Sequence, residues 1–388
     1  MRKAAFDAGR RKENFKGLRP DEKLVILLWA SCFLPGRREN EYWPGKKSGQ
    51  NQPYRRFTMQ TQNKSFASHG TRSPIESGSS TSFITFLATG LAVCFNLSQA
   101  ANAAQSANSC QAISRAALQS CKSAAQADYF IAVGKANNIA DPVARKAALQ
   151  QALADKKDAL AECQDQFDAR QAVCDRLGGA VYDPAIDPTN FVSNITNPFM
   201  SLIPGTNFIY VSQGIPDVES NVVSVTHNTK VILGVTCVEV HDVVYVNGVL
   251  TEDTLDWFAQ DTAGNVWYFG ENSEELSGGL VVSLEGSWTA GVNGAKPGIV
   301  MKAQPAAGDF YRQEFSLGTA EDIAEVIDLT DSVAVPYGAF NNCLKTEETS
   351  PLEPDALEHK FYASGVGLIL TVDEVTGERL ELIRVTSE

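Results

Sequence analysis

The sequence contains no G-x-S-x-G elbow, no H-E-x-x-H helix, no Walker loop and no G-x-G-x-x-G text placed after a strand. Each of those motifs supplies a chemical part: an exposed nucleophile, a zinc pair with its base, or backbone donors for phosphate. Their absence removes the enzyme classes that can be read from local text. No C-x-x-C pair is present, which argues against a dithiol redox centre or a zinc knuckle, and the loop spacing of an EF-hand is missing as well. Helical stretches of 10 to 15 residues do not recur between the strand-like runs of the C-terminal half, so a parallel sheet built from βαβ units is not expected. Past residue 96 there is no long apolar run of the kind that crosses a bilayer.

What is there begins with an uneven charge. Residues 1–103 carry 16 Lys and Arg against 7 Asp and Glu, and residues 104–388 carry 17 against 39, so the two parts stand at +9 and −22. The step coincides with an almost wholly apolar run over residues 83–96, followed by the Ala-x-Ala text of Ala101, Asn102 and Ala103. That run is shorter than the roughly 18 to 20 residues of a membrane span, and small residues after it suit a signal peptidase, so cleavable export is expected. Signal peptides are usually about 15 to 30 residues long. Met59 is therefore the more ordinary start, and residues 1–58 read as a disordered extension or a mis-assigned start. The text LAVC at Leu91–Cys94 has Val93 where a lipoprotein box wants a small residue, which argues against lipid attachment. With −22 charges, the exported part is not expected to bind nucleic acid.

Export to an oxidising compartment makes disulfides the default for the six cysteines that remain. Eleven residues on a 3.6-residue helix advance about 1100°, close to three full turns, so Cys110 and Cys121 share one helix face, and Cys163 and Cys174 share another. Between the pairs, Asp141 can cap a helix whose first position is Pro142. Two helices, 108–139 and 142–177, then form an antiparallel hairpin in which facing positions have a constant sum. Both 110 with 174 and 121 with 163 give 284, which predicts nested bridges Cys110–Cys174 and Cys121–Cys163. The same register sets Asp128 opposite Lys156 and predicts an apolar stripe through Leu149, Leu153, Leu160 and Phe167. Cys237 and Cys343 are left over and are expected to form a third bridge between an early and a late strand.

From Phe208 onward, short runs rich in Val, Ile, Tyr, Phe and Trp alternate with turn text such as VNG, DTAGN and VTGE, the pattern of an antiparallel meander that is closed or strongly curved. The segments NPFMSLIPGTNFIY, TKVILGVTCVEV, DWFAQDTAGNVWYFGE, EGSWTAGVNGAKPGIVM and LEHKFYASGVGLIL resemble those of a widespread group of exported bacterial, largely actinobacterial-type, β-rich proteins, over roughly residues 195–388. The resemblance implies one exported β domain and carries no assigned activity with it.

Candidate sites are sparse. Strand alternation puts Val235, Cys237, Glu239, His241 and Val243 on one face and Val238, Val240, Val244 and Val246 on the other, so Glu239 and His241 are weak metal candidates that a Cys237 disulfide would deprive of a thiolate. Glu252, Asp253, Asp256 and Asp261 could include the two carboxylates that a glycosidase holds across a cleft, although Asp261 with Gly264 and Asn265 is more simply a turn. Trp257, Trp267, Tyr268 and Trp288 could line a ligand groove on a curved sheet, and Trp257 with Trp267 could equally be a cross-strand core pair.

The chain therefore reads as α+β: an N-terminal extension (1–58), a signal-peptide region (59–103), a disulfide-stapled antiparallel helical hairpin (104–179), a linker and domain entry (180–205) and a curved or barrel-like antiparallel β domain (206–388). It is expected to be an exported, periplasmic or extracellular, non-catalytic binding or structural protein of the cell envelope. The partner classes are an envelope glycan, a lipid or a protein, with no nucleic acid and no membrane span after cleavage. No cofactor is expected, calcium on the acidic surface being the exception the composition allows. The alternative is a secreted hydrolase working through carboxylates in a sheet cleft.

Overall fold

The computed structural model describes residues 108–213 and 217–388. The export segment, the Ala101–Ala103 site, Met59 and the LAVC text lie outside the described residues.

Two helices, α1 (Ser109–Asn137) and α2 (Pro142–Leu177), form the expected hairpin. The Asp141 carboxylate accepts the backbone N–H of Ala144 at 2.6 Å, satisfying one of the orphan donors of the first turn, and Pro142 opens the helix. Gly178, at φ 92°, ends it. The two bridges are Cys110–Cys174 and Cys121–Cys163, with Cα–Cα separations of 5.8 and 5.7 Å, as the constant sum requires. The seam differs from expectation in two places. The ammonium of Lys156 donates to Gln126 at 2.6 Å and stands over the ring of Tyr129, rather than pairing with Asp128. Leu153 is exposed, because a two-helix contact covers only the middle of each stripe.

The rest is a large antiparallel sheet. Its main strands are β1 (Thr206–Gln213), β2 (Val218–Ile232), β3 (Val235–Val246), β4 (Val249–Asp261), β5 (Val266–Ser277), β6 (Lys296–Met301), β7 (Phe310–Arg312), β8 (Glu314–Phe315), β9 (Ile323–Val335), β10 (Gly338–Ser350), β11 (Glu353–Ala363), β12 (Gly367–Asp373) and β13 (Arg379–Ser387). They pair in the order β7-β9-β10-β11-β12-β13-β1-β2-β3-β4-β5-β6-β8. β7 and β8 are consecutive in sequence, so the stretch from Phe310 to Phe315 leaves the β9 end of the sheet and joins the β6 end, bringing the two ends together in a nearly closed barrel. Two-residue turns serve much of the meander. Asn247-Gly248 has φ 53° and 78°, the primed turn whose twist suits paired strands.

Two glycines permit close backbone approaches, one of them at the closing seam. A Cβ on Gly298 of β6 would lie 2.4 Å from the backbone of Gln313, so only glycine lets the seam crossing approach. Gly270 in β5, at φ 141°, would carry a Cβ 2.4 Å from the Trp288 carbonyl, where the short strand Trp288–Thr289 joins β5 at a register shift.

Alternation divides the apolar residues into two cores. One fills the barrel, with Phe208, Tyr210, Val238, Val240, Phe258, Val266, Met301, Val326, Leu344, Tyr362 and Leu382 all buried. The short hairpin Ile195–Asn197 and Met200–Leu202 closes one end, contributing Ile195 and Leu202, and the Gln260 side-chain oxygen accepts the N–H groups of Thr196 and Asn197. A second core lies on the outer face of β3, β4 and β5, where Ile232, Val235, Cys237, Trp257, Ala259, Phe269 and Trp288 are covered by the chain around Ala290, Ala295 and Ala320.

The expected Cys237–Cys343 bridge does not form. Both cysteines are free and buried, Cys237 in the outer core and Cys343 in the barrel, so the sheet itself separates them. Burial in apolar surroundings pushes the Cys237 thiol up to about 12.

Candidate functional site

The four aromatics singled out in the sequence do not line one groove. Trp257 and Trp288 are buried in the outer core, at 4% and 5% exposure. Tyr268 packs against both cores, stacking on Phe258 at a centroid distance of 4.7 Å and meeting Trp288 edge-on at 5.4 Å. Trp267 lies on the outer face, donates its indole N–H to Asp261 at 2.9 Å and packs edge-on to Phe191. Core packing thus explains most of their surface.

Trp257 and Trp288 nevertheless form part of the wall of a cleft of about 400 Å³. The Lys230 ammonium lies 3.2 Å from the Trp257 ring centroid and covers that face, while the indole N–H of Trp257 donates to Glu239 at 3.3 Å. Trp257 is thereby an anchored part of the cleft wall. The polar groups that reach the cleft are Asn272, Ser287, Thr289, Asn293, Ser316 and Thr319, with Lys230 and Glu271 as its charged pair of opposite sign and Val292 and Leu317 as exposed apolar edges. Asn293 holds φ 52° in the Asn293-Gly294 turn, which presents its amide at the rim.

Glu239 and His241 are each engaged by protein partners. The Glu239 carboxylate accepts from Asn228 at 3.0 Å and from Trp257, and His241 pairs with Asp253 at 2.8 Å. Among the described residues, no three of His, Cys, Asp and Glu come together in a way that could hold a metal ion.

The acids of the DWFAQD text part company. Asp261 accepts from the Asn265 backbone and side chain and closes the β4–β5 turn. Asp253 is held by His241, and Glu252 accepts from Thr254 at 3.0 Å. Asp256 faces into the barrel, where the Tyr268 hydroxyl donates to it at 2.5 Å. Burial raises its carboxyl to about 7 against the lowering effect of that hydrogen bond, with Glu271 and Glu252 adding repulsion. Asp242 on β3 is likewise raised to about 7, by burial and by the charges of Asp256 and Glu252, and its Oδ1 has no hydrogen-bond partner. Glu314 on β8, at 6% exposure, is raised by burial and by Asp322 and Glu271. At the end of the barrel away from the Ile195–Leu202 hairpin, burial and then Glu378, Glu252 and Glu358 raise Glu219.

The groups that sequence reasoning missed are Asn272, Asn293, Lys230 and Glu314, together with Arg170, Arg312 and Glu321 where the hairpin meets the barrel. Arg170 had a legible signal: seven residues after Cys163 it falls within about 20° of the bridge face, a charge in an apolar stripe. The rim asparagines had none, since Asn in turn text is ordinary.

No protein-family model matches the chain, and no curated protein matches it. One solved structure, described as a "putative lipoprotein from Parabacteroides distasonis ATCC 8503", aligns at 12% identity over 49% of this chain and 99% of its own, with a TM-score of 0.28. A likeness of that size carries no argument about fold or role.

Proposed function

We propose that the protein is an exported, non-catalytic binding module of the cell envelope, and that its ligand is a neutral polyhydroxylated molecule, an envelope glycan, held in the cleft over Trp257 and Trp288. The observation that carries this reading is the cleft of about 400 Å³, whose polar rim is made of amides and hydroxyls around a balanced Lys230 and Glu271. Such groups both donate and accept, which matches sugar hydroxyls, and Val292 and Leu317 offer apolar contact to sugar ring faces. Export is supported by the two disulfides, by the charge step in the sequence and by the resemblance to exported β-rich bacterial proteins. Among the described residues no helix is long and apolar enough to cross a membrane.

The alternative, a hydrolase, draws on the raised carboxyls of Asp256 and Glu314 behind Glu271. It is the weaker reading because Asp256 and Glu314 are buried and only Glu271 lines the cleft.

Isothermal titration of the purified protein with glucose, mannose and N-acetylglucosamine oligomers tests the proposal. Saturable binding is expected for one oligomer class. The Asn272→Ala and Asn293→Gly variants should each weaken it by about tenfold, the worth of one to two hydrogen bonds. Glycine at 293 keeps the positive φ that the turn needs. Silence across the whole panel would remove the glycan reading, and shortened oligomers in the cell after titration would establish the hydrolase instead.

A further inference from the structure

A second cavity, of about 90 Å³, lies where the hairpin docks on the barrel seam, lined among others by Ser114 on α1, Arg170 on α2, Tyr182, Arg312 on β7, Phe315 on β8 and Glu321. Three of these side chains are charged and nearly fully buried, Arg170 at 6% exposure, Arg312 at 8% and Glu321 at 1%. Glu321 is committed to Arg170: Nε approaches Oε2 at 2.9 Å and Nη2 approaches Oε1 at 2.8 Å, a two-pronged pair, and the Gly318 N–H donates to Oε1 as well. Arg312 is left over. Its Nη1 is buried with no hydrogen-bond partner, and its guanidinium rests against the rings of Phe315 and Tyr182, 4.7 and 5.5 Å from their centroids. The hydroxyls nearby do not serve it: Tyr182 donates to the Pro297 carbonyl, and Ser114 to the Cys110 carbonyl.

Two positive charges therefore share one carboxylate in a buried place. A guanidinium stays charged in a protein, and a buried charge without a partner costs several kcal/mol in general, of which ring contacts return only part. Water in the cavity could satisfy the N–H groups but leaves the charge. We propose that this cavity binds a small oxyanion, seated on Arg312 between the helical hairpin and the barrel seam. The size agrees, since the cavity exceeds the roughly 30 Å³ share of one water and suits a group such as phosphate, sulfate or a carboxylate. An anion here would touch residues of α1, α2, β7 and β8 together, and would fasten the hairpin to the strands that close the barrel.

The test is thermal unfolding of the whole protein against rising sodium phosphate, sulfate or acetate, with sodium chloride holding the ionic strength constant. A saturable rise in Tm of about 2 to 8 °C at a hundredfold excess over Kd is expected for at least one oxyanion. Phosphate or sulfate acting alone identifies a free tetrahedral anion, and acetate acting alone identifies a carboxylate ligand. Arg312→Leu should abolish the response while leaving the Tm in oxyanion-free buffer unchanged or higher, because it removes the second buried positive charge beside Arg170 and its unsatisfied Nη1. Arg312→Lys, which keeps the charge, should retain a weakened response if the leucine variant fails to fold. Equilibrium dialysis with radiolabelled phosphate or acetate should give one bound anion per chain. A response that never saturates, or one that is the same in wild type and in the Arg312 variants, would overturn the proposal.

Discussion

Asp256 occupies an inward position of β4, two residues before Phe258, where the barrel wants an apolar side chain. Its neutral form solves that conflict: a protonated carboxyl can accept from Tyr268 without a buried charge. The folded value, about 7, stands above the roughly 3.9 of an unfolded aspartate. The folded state therefore holds more protons between those values. Its contribution to stability is full below about pH 4, falls as pH rises and is gone above about pH 7. Asp242 acts in the same direction over the same window. Asp256→Asn keeps the acceptor for Tyr268 without the charge. We expect it to match wild type near pH 4 and to exceed it by a few kcal/mol at pH 8, as read from urea unfolding at both pH values. Equal stability of the two at pH 8 would mean that Asp256 is already solvated and charged at little cost. The sequence showed Asp256 as one acid among four. Strand parity places it with Phe258, but parity names a face without saying which face is the inside.

At the scale of the element, the hairpin was the most legible part of the chain. Helical periodicity is strict, so the cysteine positions determined register and bridge pattern together, and Asp141-Pro142 marked the turn. The strand cysteines failed for a physical reason. Counting leaves Cys237 and Cys343 as partners, but strand text holds no information about which side of a closed sheet each will occupy, and they fall in different cores. Two measurements follow from this arrangement. Thiol titration of residues 104–388, denatured but unreduced, should find the two thiols of Cys237 and Cys343. Replacing Cys121 and Cys163 together with serine should cost about 2 to 4 kcal/mol, seen as earlier loss of far-ultraviolet helix signal. Tryptophan fluorescence should keep its transition, because every tryptophan among the described residues lies in the β domain. Coincident loss of both signals would mean that the barrel depends on the hairpin for its own stability.

At the scale of the molecule, the antiparallel meander was readable from turn text and from the absence of recurring helices, whereas closure was not. The closing piece, Phe310–Phe315, is six residues that pair with β9 at one end and β6 at the other, and only Gly298 with its close backbone approach marks the place. The outer core was equally hidden, because a strand with both faces buried does not show clean alternation. These two features together build the cleft, since the outer layer brings Thr289, Asn293 and Thr319 over β4 and β5. The proposed glycan would be held in this cleft. Hydrogen exchange of the whole protein, with and without a saturating glycan oligomer, tests that placement most directly. Slower exchange is predicted in residues 271–273, 287–295 and 316–319, with the barrel strands β10 to β13 unchanged. Protection confined to the hairpin or to the acidic end near Glu219, with none in those three segments, would contradict it.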